Sequence, residues 1–241
     1  MGNGRKAWWK SWIPHYVTNR QMLWFYGKAA GLFRMPEARI AANRKENRKL
    51  LLAEDSPLKA GRYIENQAEW GKVRFGCSKR SNMAYSGCEI IAAYNAKLAL
   101  GEHVSALDMA ELIARYERKG AALRGAIGTS PKEIACYFEE RGYEVRMTDS
   151  RDPETLEIFG RENDTVIVTA YNDRNDITRE IHTVSVTKDE KGEYTLHNVY
   201  SYDRGRRCYA AKGSYAALQE AVRNMASDPE VICVIGIVRK R

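Results

Sequence analysis

The apolar and polar positions divide the chain into a helical first part and a β-rich second part. Residues 87–100 are an alanine-rich apolar run (Ile90, Ile91, Ala93, Tyr94, Leu98) stopped by Gly101, the pattern of a buried helix. Ser105 followed by Asp108 has capping-box spacing and predicts a helix to about Arg118. Ser130, with Pro131 at the first helical position and Glu133 three residues on, predicts another that ends at Gly142. Residues 143–148 alternate as a strand, and Asp152-Pro153 opens a short helix closing at Gly160. Strands dominate afterwards. Residues 165–171 carry Val-Ile-Val at their centre, and 181–187 and 193–200 flank a turn at 189–192 as a hairpin. Residues 214–225 read as helical and 231–238 as a last strand. Helices first and then a mostly antiparallel sheet predict an α+β fold.

The first 60 residues have a different texture. Met22, Phe25, Tyr26, Ala29 and Phe33 recur at helical spacing, Pro14 and Pro36 interrupt, and residues 37–53 are rich in helix formers. Residues 1–50 hold 11 Lys/Arg against 2 Asp/Glu, whereas the rest of the chain holds 28 against 29. The net charge of +8 therefore belongs to the N-terminal fifth, where Trp8, Trp9, Trp12 and Trp24 also lie. This shift predicts a basic, aromatic-rich helical extension over 1–60 and a compact domain over 61–241.

The five cysteines form no CxxC pair, so neither a zinc site nor a disulfide framework is suggested, and no metal or organic cofactor is implied. A reducing, cytoplasmic setting fits best. No stretch reaches the roughly 18 apolar residues of a membrane span.

The candidate chemistry centres on Cys88. Ser86-Gly87-Cys88-Glu89 enters the predicted helix, and a helix start favours a thiolate. Gly87 lets the backbone come close to a substrate. By itself Cys88 reads first as a small buried hydrophobe, as most free cysteines are. His182 and Asn198 change the balance. With residues 188–192 as the hairpin loop, the two lie directly opposite each other on one face, as an imidazole and its orienting amide require. Residue parity turns His197 away from that face.

Here a resemblance enters. Asn82-Met-Ala-Tyr-Ser-Gly-Cys88-Glu89, then a helix, then residues 128–145, then Ile181-His-Thr-Val-Ser-Val186, resembles the papain-like cysteine peptidases. The nearest type is the bacteriocin-leader (double-glycine, C39-like) peptidase in a free-standing, bacterial form. The resemblance covers roughly residues 75–202. It implies a papain-like fold with a helical lobe carrying Cys88 and a sheet lobe carrying His182 and Asn198. It also implies a hydrolase that cleaves a peptide or amide bond in a peptide or protein substrate. Asn82 stands where that family has an oxyanion-hole Gln, Asn198 where it has Asp, and Glu89 where it usually has Gly. Tyr85, Gly87 and Glu89 flank the nucleophile as candidate substrate-binding residues. A catalytically inactive relative that binds peptide in the same cleft is the alternative.

For the basic N-terminus three roles compete: an arm packed on the domain, a contact with an anionic membrane surface through residues 1–50, or nucleic-acid binding. No nucleic-acid-binding motif supports the last. The second would make the protein peripheral at the inner face of a membrane.

Overall fold

The structure is a computed structural model and describes residues 19–239, except 79–80 and 174–180. Trp8, Trp9, Trp12 and the other residues before Asn19 lie outside the described residues. The fold is α+β. Helices α1 (Asn19–Leu32), α2 (Glu37–Leu51), α3 (Met83–Ser86), α4 (Cys88–Ala99), α5 (Ala106–Lys119) and α6 (Pro131–Glu140) precede or flank the first strand, β1 (Glu144–Thr148). Helix α7 (Pro153–Glu162) leads to β2 (Thr165–Tyr171), β3 (Ile181–Lys188) and β4 (Tyr194–His197). After the small ribbon of β5 (Tyr202–Asp203) and β6 (Cys208–Tyr209) come β7 (Lys212–Tyr215), α8 (Leu218–Arg223) and β8 (Glu230–Val238).

Six strands form one sheet in the order β1-β8-β2-β3-β4-β7, with every neighbouring pair antiparallel. The sheet is buried on both faces, which is why β2 and β8 read as continuous apolar runs rather than alternating ones. Ile167, Ile235 and Ile237 pack with the buried residues of α4, α5 and α6 on one face. Val166, Val168, Ala170, Val184, Val186 and Leu196 pack with Leu156, Leu218 and Val222 on the other. The expected capping box is present at Ser105 and Asp108, and Asp152 caps α7.

Four features differ from the sequence-based expectation. The composition shift near residue 60 is not a packing boundary: Ile40 and Leu51 belong to the same core as Trp70, Ile90 and Met109. Asn43, Asn47 and Glu37 on α2 bond Gly76, Arg74 and Arg118 of the domain. Residues 214–225 do not form one helix, because the sheet edge takes Ser214 and Tyr215 into β7 through the Tyr194–Tyr215 pairing before α8 begins. On α1 the buried positions are Leu23, Tyr26, Ala29 and Ala30, so Phe25 and Phe33 lie outside the inward stripe. The β3–β4 hairpin pairs Ser185 with His197 and Lys188 with Tyr194, two residues out of the expected register.

Candidate functional site

Cys88 is the first residue of α4, reached through Gly87, which ends α3 and starts α4. A Cβ on Gly87 would stand 2.5 Å from the Met83 carbonyl oxygen, so the abrupt junction of the two helices requires glycine. The need is close packing against Met83 rather than the approach of a substrate. The junction places Cys88 on the wall of a pocket of about 230 Å³. Its walls include Tyr85, Ser86, Glu89, Ile127, Gly128, Tyr171 and Ile181, with Met22 and Tyr26 of α1 closing one side.

The thiol is held by two neighbours. It donates to the Glu89 Oε2 at 3.2 Å and accepts from Thr183 of β3. Burial raises its pKa well above the ordinary value, and the Glu89 carboxylate raises it further, against a smaller lowering by Thr183. Glu89 is itself buried. Burial pushes its carboxyl up to about 7, offset in part by its own N–H, the Cys88 thiol and the Thr129 N–H. Gly128, at φ +83°, lies flush against this carboxylate: a Cβ there would stand 3.1 Å from the Glu89 Oε1.

His182 leaves β3 on the face of Val184 and Ala170, whereas Thr183 is the residue of that strand that meets Cys88. Among the described residues no hydrogen bond joins His182 to the thiol. Its Nε2 lies 2.6 Å from the backbone carbonyl of Asn198, and its ring stacks on Tyr200 with centroids 5.4 Å apart. A carbonyl only accepts, so Nε2 carries the proton, and the lone pair of the neutral ring is on Nδ1. Burial lowers the His182 pKa and the carbonyl bond partly restores it. The ring is thereby kept neutral, with its acceptor nitrogen uncommitted among the described residues.

Asn198 touches His182 through its backbone, not its side chain. It lies just past the end of β4 at φ +63°, beyond the paired residues of the hairpin. Its side-chain oxygen accepts from the Gln67 N–H at 3.0 Å, and its amide donates to the Gln67 Oε1 at 3.2 Å. The Asn198 N–H donates to Glu65 at 3.0 Å. The orienting role expected of the side chain falls to the main-chain carbonyl, with Gln67 and Glu65 clamping the turn that presents it.

Asn82 caps α3, its side-chain oxygen accepting from the Tyr85 N–H at 3.0 Å, and it is not among the residues lining the Cys88 cavity. Tyr85 and Glu89 do line it. Cys88, Tyr85 and Glu89 are thus brought together at one cavity, while Asn82, His182 and Asn198 lie off its wall. Among the described residues no group of three or more His, Cys, Asp and Glu is placed to hold a metal ion.

Neither a scan against protein-family models nor searches of curated proteins and of solved structures finds a match to this chain. The site therefore rests on its own geometry.

Sequence reasoning missed several residues of this neighbourhood. Thr183 was legible as the other parity of β3. His197 shares the Ser185 face and stacks on Tyr63 at 4.0 Å, while Glu65 and Thr187 bond its two nitrogens at 2.7 and 2.9 Å. Gln67 and Glu65 reach Asn198 across more than 130 residues of sequence and carry no local signal.

Proposed function

We propose that the chain is a papain-like cysteine peptidase, or a related thiol acyl-transfer hydrolase, with Cys88 as its nucleophile. The observation that carries this reading is Cys88 at the first turn of a buried helix, on the wall of a largely apolar pocket of about 230 Å³. An α+β fold with a helical layer bearing the cysteine beside an antiparallel sheet agrees in class with the resemblance in residues 75–202.

In this reading the thiol gives up its proton and Sγ attacks the acyl carbon, forming the C–S bond as the carbonyl electron pair moves to oxygen. First-turn N–H groups of α4 stabilise that oxyanion. One acceptor stands ready for the proton: the Glu89 carboxylate, which already accepts a hydrogen bond from the thiol. Collapse breaks the C–N bond and the amine leaves with that proton. Water then repeats the sequence on the thioester and releases the acid.

The second reading, a peptide-binding relative without turnover, is favoured by the raised thiol pKa and by the thiol's bond to a carboxylate rather than an imidazole. p-Nitrophenyl acetate separates the two, since its acetyl group is small enough for the cavity. A burst of nitrophenol followed by turnover, with acetyl mapped to Cys88 and both lost in Cys88→Ser, supports the hydrolase. Acetylation spread over the exposed Cys136 and Cys208, with no burst, leaves the binding module.

A further inference from the structure

Helix α1 is apolar on both sides. Its inner side is buried through Leu23, Tyr26, Ala29 and Ala30. Its outer side exposes Trp24 by 61 %, Phe25 by 45 % and Leu32 by 75 %, and Phe33 just beyond by 47 %. Gly27 and Gly31 open the same side, with no atom near the place of a Cβ. A helix with one side on the core normally turns a polar side to water. A cluster of large exposed apolar side chains on a folded protein marks a contact surface.

The charge around this surface selects its partner. Lys28 is exposed among these side chains and Arg34 follows them. The first 36 residues contain six Lys/Arg and no Asp or Glu. Two copies of such a surface would bring like charges together. A nucleic acid would set its phosphates against indole, phenyl and isobutyl groups. An anionic lipid interface satisfies both components: the aromatic and leucine side chains enter the boundary of headgroups and acyl chains, and the cations stay among the headgroups.

We infer that the outer side of α1, through Trp24, Phe25, Leu32 and Phe33 with Lys28 and Arg34, docks the protein on an anionic membrane surface. Met22 and Tyr26 on the same helix wall the Cys88 cavity, so docking holds that cavity close to the lipid surface. Among the described residues no helix is long and apolar enough to cross a membrane, and the contact is with one leaflet.

The test uses the full chain with vesicles of phosphatidylcholine alone and of equal parts phosphatidylcholine and phosphatidylserine, read by co-sedimentation. The expected result is binding to the mixed vesicles that weakens steeply with added salt and is at least about tenfold weaker on phosphatidylcholine alone. Trp24→Ser with Phe25→Ser weakens binding by about tenfold or more. Lys28→Glu with Arg34→Glu removes the preference for phosphatidylserine. All four side chains are exposed, and unchanged melting temperatures show that the variants fold. Leu32→Ser offers a second route if the aromatic pair perturbs the helix. Absence of vesicle binding, or variants that bind like wild type, overturns the inference. So does a dimer that the Trp24/Phe25 variant converts to monomer, or retention of mixed-sequence DNA or RNA without vesicle binding.

Discussion

Two buried glutamates in the helical part of the molecule have nearly the same electrostatics and opposite employment. Burial pushes both Glu89 and Glu117 up to about 7. Glu117 Oε1 accepts from the Asn43 amide at 2.6 Å and from the Gly76 N–H at 2.8 Å, which ties α2 and the Gly76 loop to α5. Glu89 instead accepts from a thiol on a cavity wall. A perturbed carboxyl therefore does not mark a site by itself; its partners decide. Backbone and amide donors make Glu117 a staple, and the Cys88 thiol makes Glu89 a control on a nucleophile.

The largest expected effect is on the staple. Glu117→Ala leaves the Gly76 N–H buried without an acceptor and the Asn43 amide with only the Gly76 carbonyl, and should lower the unfolding free energy in urea by about 3 kcal/mol. Glu117→Gln, which keeps an oxygen at that place, should lose much less. Equal losses in the two variants would remove the distinction.

The pH dependence of stability comes next. Both carboxyls have folded-state values above the ordinary 4.5, so the fold favours their protonated forms. Their favourable contribution is complete below about pH 4.5 and is lost as pH rises to about 7, up to about 3 kcal/mol for each. Urea titrations from pH 4.5 to 7.5 should show this decline, and Glu117→Gln and Glu89→Gln should each flatten it. A decline untouched by both substitutions would assign it to other groups.

At Cys88 the effects are kinetic. Glu89→Gln removes the charge that opposes thiolate formation and should speed alkylation of Cys88 at pH 8 by about tenfold. Thr183→Val removes a hydrogen bond that favours the thiolate and should slow it severalfold. The smallest effect is at the far end of the sheet. There the Lys188 ammonium donates to the carbonyls of Gly160, Arg161 and Asn163 at the end of α7, at 2.9–3.0 Å. Lys188→Ala should cost about 1 kcal/mol, read by thermal melting.

Elements written in local chemistry were legible in the sequence. The Ser105–Asp108 box, Pro131 at the start of α6, Asp152-Pro153 before α7 and the apolar runs of β2 and β8 each state their own structure. Cys88 at a helix start was legible for the same reason. What failed depended on register. The hairpin loop covers residues 189–193 rather than 188–192, which moved every pairing by two positions and left His182 and Asn198 outside the paired residues of β3 and β4. The assignment of faces failed separately, because no residue of β3 states which side of the sheet α4 will cover. The aromatic positions of α1 misled in another way: hydrophobic spacing does not tell a core stripe from an apolar outer surface, and Phe25 and Phe33 lie on the latter. Gln67 and Glu65 were invisible because their partner at Asn198 is fixed only by the tertiary fold.

The most direct measurement is the rate of Cys88 alkylation by iodoacetamide from pH 5 to 10, resolved by peptide mass spectrometry in wild type, Glu89→Gln and His182→Ala. The exposed Cys208 serves as the internal reference. If Glu89 restrains a nucleophile that opens on the cavity, Cys88 in the wild type reacts more slowly than Cys208 near neutrality, and its profile rises only at higher pH. Glu89→Gln then shifts that profile to lower pH, whereas His182→Ala leaves it in place because the resting thiol is bonded to Glu89. A Cys88 profile that coincides with Cys208 and ignores Glu89→Gln, or fast labelling near pH 6 that vanishes in His182→Ala, would contradict it.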